Sequence, residues 1–93
     1  MNKVIWYPKA SNKYENYVYW YVEQGGISVA KDFKEHITTC INLIANNPYM
    51  AKQVEGKPEL REYVVRKYPF LISYYVKEDI IAIASFLHQS MKK

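Results

Sequence analysis

The sequence has few of the residues that build disulfide frameworks and metal sites. Its 93 residues include one cysteine and two histidines. The lone Cys40 cannot form an internal disulfide, which is typical of a reducing cytosol. With so few Cys and His side chains we expect no metal site, and no Gly-rich phosphate loop or other motif indicates a cofactor.

Long apolar runs are also missing. No segment approaches the roughly 18 consecutive apolar residues that a membrane-spanning helix needs, and the N-terminus lacks the apolar run of a signal peptide. We therefore expect a soluble, cytoplasmic protein that does not associate with a membrane.

The composition is otherwise that of one globular domain spanning residues 1–93. The chain is 49% hydrophobic and 24% charged, with ten tyrosines and a net charge of +4. A chain this short buries only about 60–65% of its unfolded surface, so its stability margin is small. A mild positive charge suits nucleic acid or an acidic protein as partner, without choosing between them.

The first half predicts a strand followed by two helices. Residues 3–7 are apolar and aromatic and end at Pro8, as expected of a strand. Residues 9–24 have a helical period that Gly25-Gly26 ends, and a second apolar stripe runs from Val29 to Ile44 before Asn46-Asn47-Pro48. The short glycine link predicts an antiparallel helical hairpin.

The second half predicts a loop over residues 49–58 and then three strands, at residues 60–67, 70–77 and 80–87. Each strand is β-branched or aromatic, and tight turns separate them. Residues 89–93 are interpreted as a frayed basic tail. The expected fold class is α+β, in the order strand-helix-helix-strand-strand-strand, with the hairpin packed on a small, mainly antiparallel sheet.

An ordered set of residues along nearly the whole chain resembles the RelE/ParE superfamily of type II toxins. No single motif is specific, but the order is. The set comprises Ile5-Trp6-Tyr7-Pro8-Lys9-Ala10, Ala30, Phe33, Leu43, Asn47-Pro48, Arg61-Glu62, Val64-Val65, Tyr68-Pro69, Ile72-Ser73-Tyr74, Ile80-Ile81-Ala82-Ile83 and His88.

The resemblance implies a toxin that a cognate antitoxin neutralises, as a homodimer or a toxin–antitoxin hetero-oligomer. The ParE branch inhibits DNA gyrase without being an enzyme, whereas the RelE branch cleaves mRNA in the ribosome without a metal. The ParE-like reading is favoured because Gln89 follows His88, where one nuclease subgroup has tyrosine, and because Glu55, Glu59 and Glu62 dilute the basic charge. An inactive interaction domain of the same fold is a third alternative.

The two branches give different roles to the candidate residues. In a nuclease, Arg61 would contact phosphate, His88 would act as general acid or base, and Lys57 would supply a further cation. The alternative is that Arg61 and His88 support the sheet or bind a partner. The partner-binding candidates are Trp20, Arg61, Arg66, Tyr74 and His88.

Overall fold

The computed structural model describes residues 2–91, which form a five-stranded sheet and a long helical segment. These elements are β1 (Lys3–Trp6), α1 (Pro8–Asn46), β2 (Lys52–Val54), β3 (Lys57–Val64), β4 (Phe70–Lys77), β5 (Ile80–His88) and a closing 3₁₀ turn (Gln89–Met91).

The segment α1 is a hairpin of two helical arms. At Gly26 the backbone leaves the helical region, with φ 86° and ψ 176°, a conformation that glycine adopts without a Cβ penalty. The rings of Tyr21 and Phe33 then lie 4.6 Å apart, whereas twelve residues of continuous helix would separate them by about 18 Å. The chain therefore reverses at Gly26, and the predicted helical hairpin is confirmed, with arms at residues 8–25 and 27–46.

The sheet has the strand order β1-β5-β4-β3-β2. Strand β1 is parallel to β5, and the remaining pairs are antiparallel. Between β4 and β5 the register shifts by one residue, because Ser73 faces Ser85 while Tyr74 faces Ile83. Ala84 is therefore a bulge residue without a partner in β4.

Several boundaries differ from the sequence-based expectation. The predicted loop at 49–58 contains β2, and β3 spans Lys57–Val64 rather than residues 60–67. Strand β2 has no apolar alternation of its own and exists because β3 pairs with it. Residues 89–91 form a 3₁₀ turn instead of a frayed tail, while the last two lysines of the predicted tail lie outside the described residues.

The hairpin covers one face of the sheet and buries an aromatic core there. Phe70 and Phe86 stack with ring centroids 4.8 Å apart, and Phe33 from the second arm packs against both. Tyr14, Tyr17 and Tyr21 from the first arm complete this core, as expected of a helical stripe. Within residues 2–91, no helix is both long and apolar enough to cross a membrane.

Candidate functional site

Arg61 holds the chain segment that joins the hairpin to the sheet. Its position opposite Tyr74 places it on the hairpin side of the sheet. Its Nη1 donates hydrogen bonds to the carbonyl oxygens of Ala51 at 2.7 Å and Tyr49 at 3.2 Å. The guanidinium carbon also lies 5.1 Å from the centre of the Tyr49 ring, within cation–π range. These contacts make Arg61 a brace for residues 49–51.

Tyr74 belongs to the same brace and is not an exposed partner-binding residue. Its side chain is 0% exposed, and its hydroxyl donates to the carbonyl oxygen of Pro48 at 2.8 Å. Burial raises the pKa of Tyr74, while the nearby Arg61 charge acts in the opposite direction. The structure thus corrects the expectation for Tyr74, because period-two alternation in β4 turns this residue towards the core.

His88 lies at the other end of the sheet face that the hairpin covers. It lies opposite Phe70 at the end of β5, stacks on Tyr17 with centroids 6.1 Å apart, and meets the edge of Phe70 at 5.3 Å. Its Nδ1 accepts the backbone N–H of Ser90 at 3.1 Å and lies 2.8 Å from the Ser90 hydroxyl. Since a backbone N–H can only donate, Nδ1 carries no proton, and the proton of the neutral ring is on Nε2.

Arg61 and His88 do not meet in one site. Measured along β4, Arg61 is at the level of Tyr74 and His88 at the level of Phe70, with β4 itself between them. Four residues of strand span about 13 Å and two strand spacings about 10 Å, so the two Cα atoms are roughly 16 Å apart. One phosphate group cannot contact both side chains while they make the contacts described above.

The other cationic candidates are further dispersed. Lys57 begins β3, four residues from Arg61 on the side away from His88, and is exposed. Arg66 is exposed in the turn between β3 and β4. The three candidates of a nuclease site, Lys57, Arg61 and His88, therefore lie along a diagonal of the sheet rather than around a cleft.

Trp20 lies on the outside of the first arm. Its side chain is 48% exposed, next to Tyr19 at 71%, and its ring meets the edge of Tyr21 at 5.0 Å. An exposed aromatic side chain in this position suits a surface that binds a partner, and the role of Trp20 as a contact residue remains a prediction.

One cluster was not predicted from the sequence. The Asp32 carboxylate oxygen Oδ2 accepts the Tyr68 hydroxyl at 2.5 Å and lies 2.8 Å from Lys67 Nζ. The Lys67 contact, followed by the Tyr68 hydrogen bond, lowers the pKa of Asp32. Burial, reinforced by the bond to Asp32, raises the pKa of Tyr68 to about 12. The cluster fastens the β3–β4 turn to the second arm, and its members are too far apart in sequence to give a local signal.

Metal ligands are not grouped anywhere in residues 2–91: no cluster of three or more His, Cys, Asp or Glu side chains could hold an ion. Cys40 is buried, and this burial raises the pKa of its thiol, so the side chain acts as a small apolar core residue.

Comparison with known proteins gives the family. The family model described as ParE toxin of type II toxin-antitoxin system, parDE, matches residues 4–93. The chain belongs to this ParE toxin family. No curated protein sequence matches it.

Solved structures show the same fold. The ParE toxin superposes on a chain of the chromosomal ParDE toxin–antitoxin system from P. aeruginosa with a TM-score of 0.81 and 20% identity, covering 95% of this chain and 96% of that one. It also matches a chain of the intact E. coli RelBE complex with a TM-score of 0.63 and 13% identity, covering 92% of this chain and 94% of that one. The isolated E. coli RelE toxin matches with a TM-score of 0.66 and 12% identity, covering 100% of this chain and 89% of that one. At these identities the likeness shows the RelE/ParE fold, not the mechanism.

Proposed function

We propose that this ParE toxin arrests growth by binding a cellular target, DNA gyrase, in the cytoplasm, and that a cognate antitoxin neutralises it. Gyrase is the target that resemblance to the ParE branch implies. The observation that supports a binding mechanism over RNA cleavage is the dispersal of the candidate catalytic residues, since Arg61 and His88 lie roughly 16 Å apart across β4.

Metal-independent RNA cleavage needs a different arrangement. A general base must approach the attacking hydroxyl within about 3 Å, and cations must surround the same phosphate. Here the Arg61 guanidinium is bonded to the backbone of residues 49–51, and His88 Nδ1 is occupied by Ser90. Both side chains make hydrogen bonds within the fold that account for their positions.

An antitoxin partner is supported by the similar structures, which are a ParDE toxin–antitoxin system and a RelBE toxin–antitoxin complex. The exposed aromatic pair Tyr19 and Trp20 and the net charge of +4 fit a partner that is acidic and partly apolar.

Induction in cells tests the proposal. Wild-type toxin should stop growth while ribosome-bound mRNA keeps its full-length ends. A folded His88→Ala variant should still stop growth, because the proposed binding mechanism gives this ring no catalytic role, and exposed Lys31→Ala serves as the matched control. If the toxin cuts mRNA at defined codons and His88→Ala or Arg61→Ala abolishes cutting without unfolding the protein, the RelE-type mechanism is correct instead. If induction neither slows growth nor cuts mRNA, the chain is an inactive interaction domain.

A further inference from the structure

The sheet has a second apolar face, on the side away from the hairpin. Tyr74 is buried under the hairpin, so period-two alternation places Tyr75 on the opposite face, and the register then places its neighbours. We call the apolar residues of this surface the bare face: Ile5, Tyr7, Leu60, Val64, Leu71, Tyr75, Ile80, Ala82 and Leu87. Within residues 2–91 the long helical segment packs on the other face of the sheet.

The sequences of β4 and β5 are those of strands covered on both faces. An antiparallel strand with one solvated face alternates apolar and polar residues. The run FLISYYVK of β4 and the run IIAIASFLH of β5 instead carry apolar residues on both faces. On the bare face Ile5, Tyr7 and Val64 remain 40%, 42% and 46% exposed. A contiguous exposed apolar surface of this kind is typical of a site that binds another protein.

A groove runs along the bare face, and its composition indicates a protein partner. The groove has a volume of about 590 Å³, and Ile5, Ile80 and the rings of Tyr7 and Tyr75 line it, with these two ring centroids 6.4 Å apart. Tyrosine is enriched in protein–protein interfaces. The charged residues that line the groove, Lys77 and Glu59, have opposite signs. A nucleic acid would need a basic surface, so this face does not suit it.

The size of the bare face is sufficient for a small interface. Strand β4 has eight residues and is about 27 Å long, and the four strands from β1 to β3 span about 19 Å. Each copy therefore offers about 500 Å² of flat area, and a pair would cover about 1,000 Å², which is the lower limit for a specific interface.

We propose that the bare face binds the bare face of a second copy of this toxin, around a two-fold axis that runs along the strands between β4 and β5. Such an axis keeps the strand directions of the two sheets aligned, as in β-sandwiches, where sheets pack about 10 Å apart. It exchanges β4 with β5 and β1 with β3, since these pairs lie symmetrically in the strand order. The inference goes beyond the proposed function and uses neither the gyrase target nor the antitoxin.

This axis brings complementary side chains together. Ile5, Ala82, Tyr75 and Leu60 lie at one level across the four strands. Ile5 of each copy therefore faces Leu60 of the other, and the bulky Tyr75 faces the small Ala82. Large and small side chains at facing positions allow two layers to interdigitate.

The charges at the end of the groove also favour a second copy. Lys3 begins β1 at the level of Ile80 and Lys77, on one side of the sheet. Glu59 precedes Leu60 in β3 on the other side and is exposed. The two-fold axis brings the Lys3 corner of each copy to the Glu59 corner of the other, so the interface has two attractive pairs of charges.

The molar mass of the purified toxin tests the dimer. An interface of this size predicts a dissociation constant of roughly 1–100 µM. In sedimentation equilibrium the mass should rise from that of a monomer to that of a dimer between about 1 µM and about 500 µM, concentrations that bracket this constant. A toxin that stays monomeric over this whole range would overturn the inference.

Isoleucine methyl NMR of the same wild-type protein locates the interface. The methyl resonances of Ile5 and Ile80 should shift as the concentration rises. Ile27 is 77% exposed at the tip of the hairpin, away from the bare face, and its methyl resonances should stay in place. A dimer that shifts Ile27 but neither Ile5 nor Ile80 would contradict the proposed surface.

Matched substitutions test the apolar contact. Ile5→Glu places a charge in the interface and should weaken the dimer at least about tenfold, with an intact fold by circular dichroism. Ile27→Glu makes the same change at the exposed tip and should leave the dimer unchanged. A folded Ile5→Glu protein that dimerises like wild type would overturn the inference.

A charge exchange tests the two-fold arrangement. Lys3→Glu and Glu59→Lys should each weaken the dimer several-fold at low salt, and the double variant should recover most of the loss. Lys31→Glu changes the net charge equally at an exposed position of the second arm and should have a smaller effect. A double variant as weak as the single ones would contradict the axis. Any of these failures leaves the proposed function untouched, because growth arrest and gyrase inhibition are measured separately.

Discussion

Replacing Arg61 should weaken the fold rather than remove a catalytic group. Its Nη1 bonds the Ala51 carbonyl at 2.7 Å, and Ala51 is only 8% exposed, so Arg61→Ala leaves this carbonyl oxygen without its donor. A bond to a charged group contributes about 1.5–3 kcal/mol. The second bond, to Tyr49, is exposed and adds little. We expect a loss of about 2 kcal/mol in the free energy of unfolding.

Thermal and urea unfolding measure this loss. For a chain of this length, about 2 kcal/mol lowers Tm by roughly 10 °C. Arg61→Lys keeps one donor and should lose about half as much. Lys57→Ala, an exposed change on the same strand, is the matched control and should stay within about 0.5 kcal/mol of wild type. An Arg61→Ala protein with unchanged Tm and lost toxicity would refute the brace and assign Arg61 to target binding.

Three further perturbations test the fold. Tyr68→Phe removes the hydroxyl from Asp32 and should slightly lower the urea midpoint at pH 7, whereas exposed Tyr19→Phe should not. Because the pKa of Tyr68 is raised to about 12, the contribution of Tyr68 to the free energy of unfolding is complete below pH 10 and is lost as the pH rises from 10 to 12. The Tyr68→Phe variant should not show this loss. Because the pKa of Asp32 is lowered, the contribution of this carboxylate to the free energy of unfolding is lost as the pH falls below the ordinary pKa of an aspartate. In Asp32→Asn the free energy of unfolding should therefore depend less on pH in this acidic range. Gly26→Ala should cost about 1–2 kcal/mol in thermal unfolding because φ is 86°, and an unchanged Tm would contradict the turn geometry.

Local chemistry explains which parts of the fold the sequence predicts. The helical spacing of apolar residues and the Gly25-Gly26 link are sufficient to predict the helical hairpin. Strand β4 begins and ends at the predicted residues. Strand β2 could not be predicted, because only its pairing with β3 makes it a strand. The Ala84 bulge is likewise a property of two strands together and leaves no mark on either sequence alone.

The candidate site was harder to predict because it depends on distances across the sheet. The sequence identified Arg61 and His88 as residues of interest, but their separation follows from the register of three strands. Tyr74 was predicted as a partner residue and is buried, since alternation alone does not say which face of β4 the hairpin covers. The contact of Asp32 with Lys67 and Tyr68 joins residues more than thirty positions apart.

Inhibition of purified gyrase is the most direct test of the central claim that this toxin acts by binding rather than by cutting RNA. Increasing amounts of wild-type toxin should progressively block supercoiling of relaxed plasmid, and the cognate antitoxin should restore it. His88→Ala should inhibit like wild type, provided that its fold is intact by circular dichroism. Full supercoiling activity in the presence of excess folded toxin, together with cleavage of ribosome-bound mRNA by the same preparation, would contradict the account.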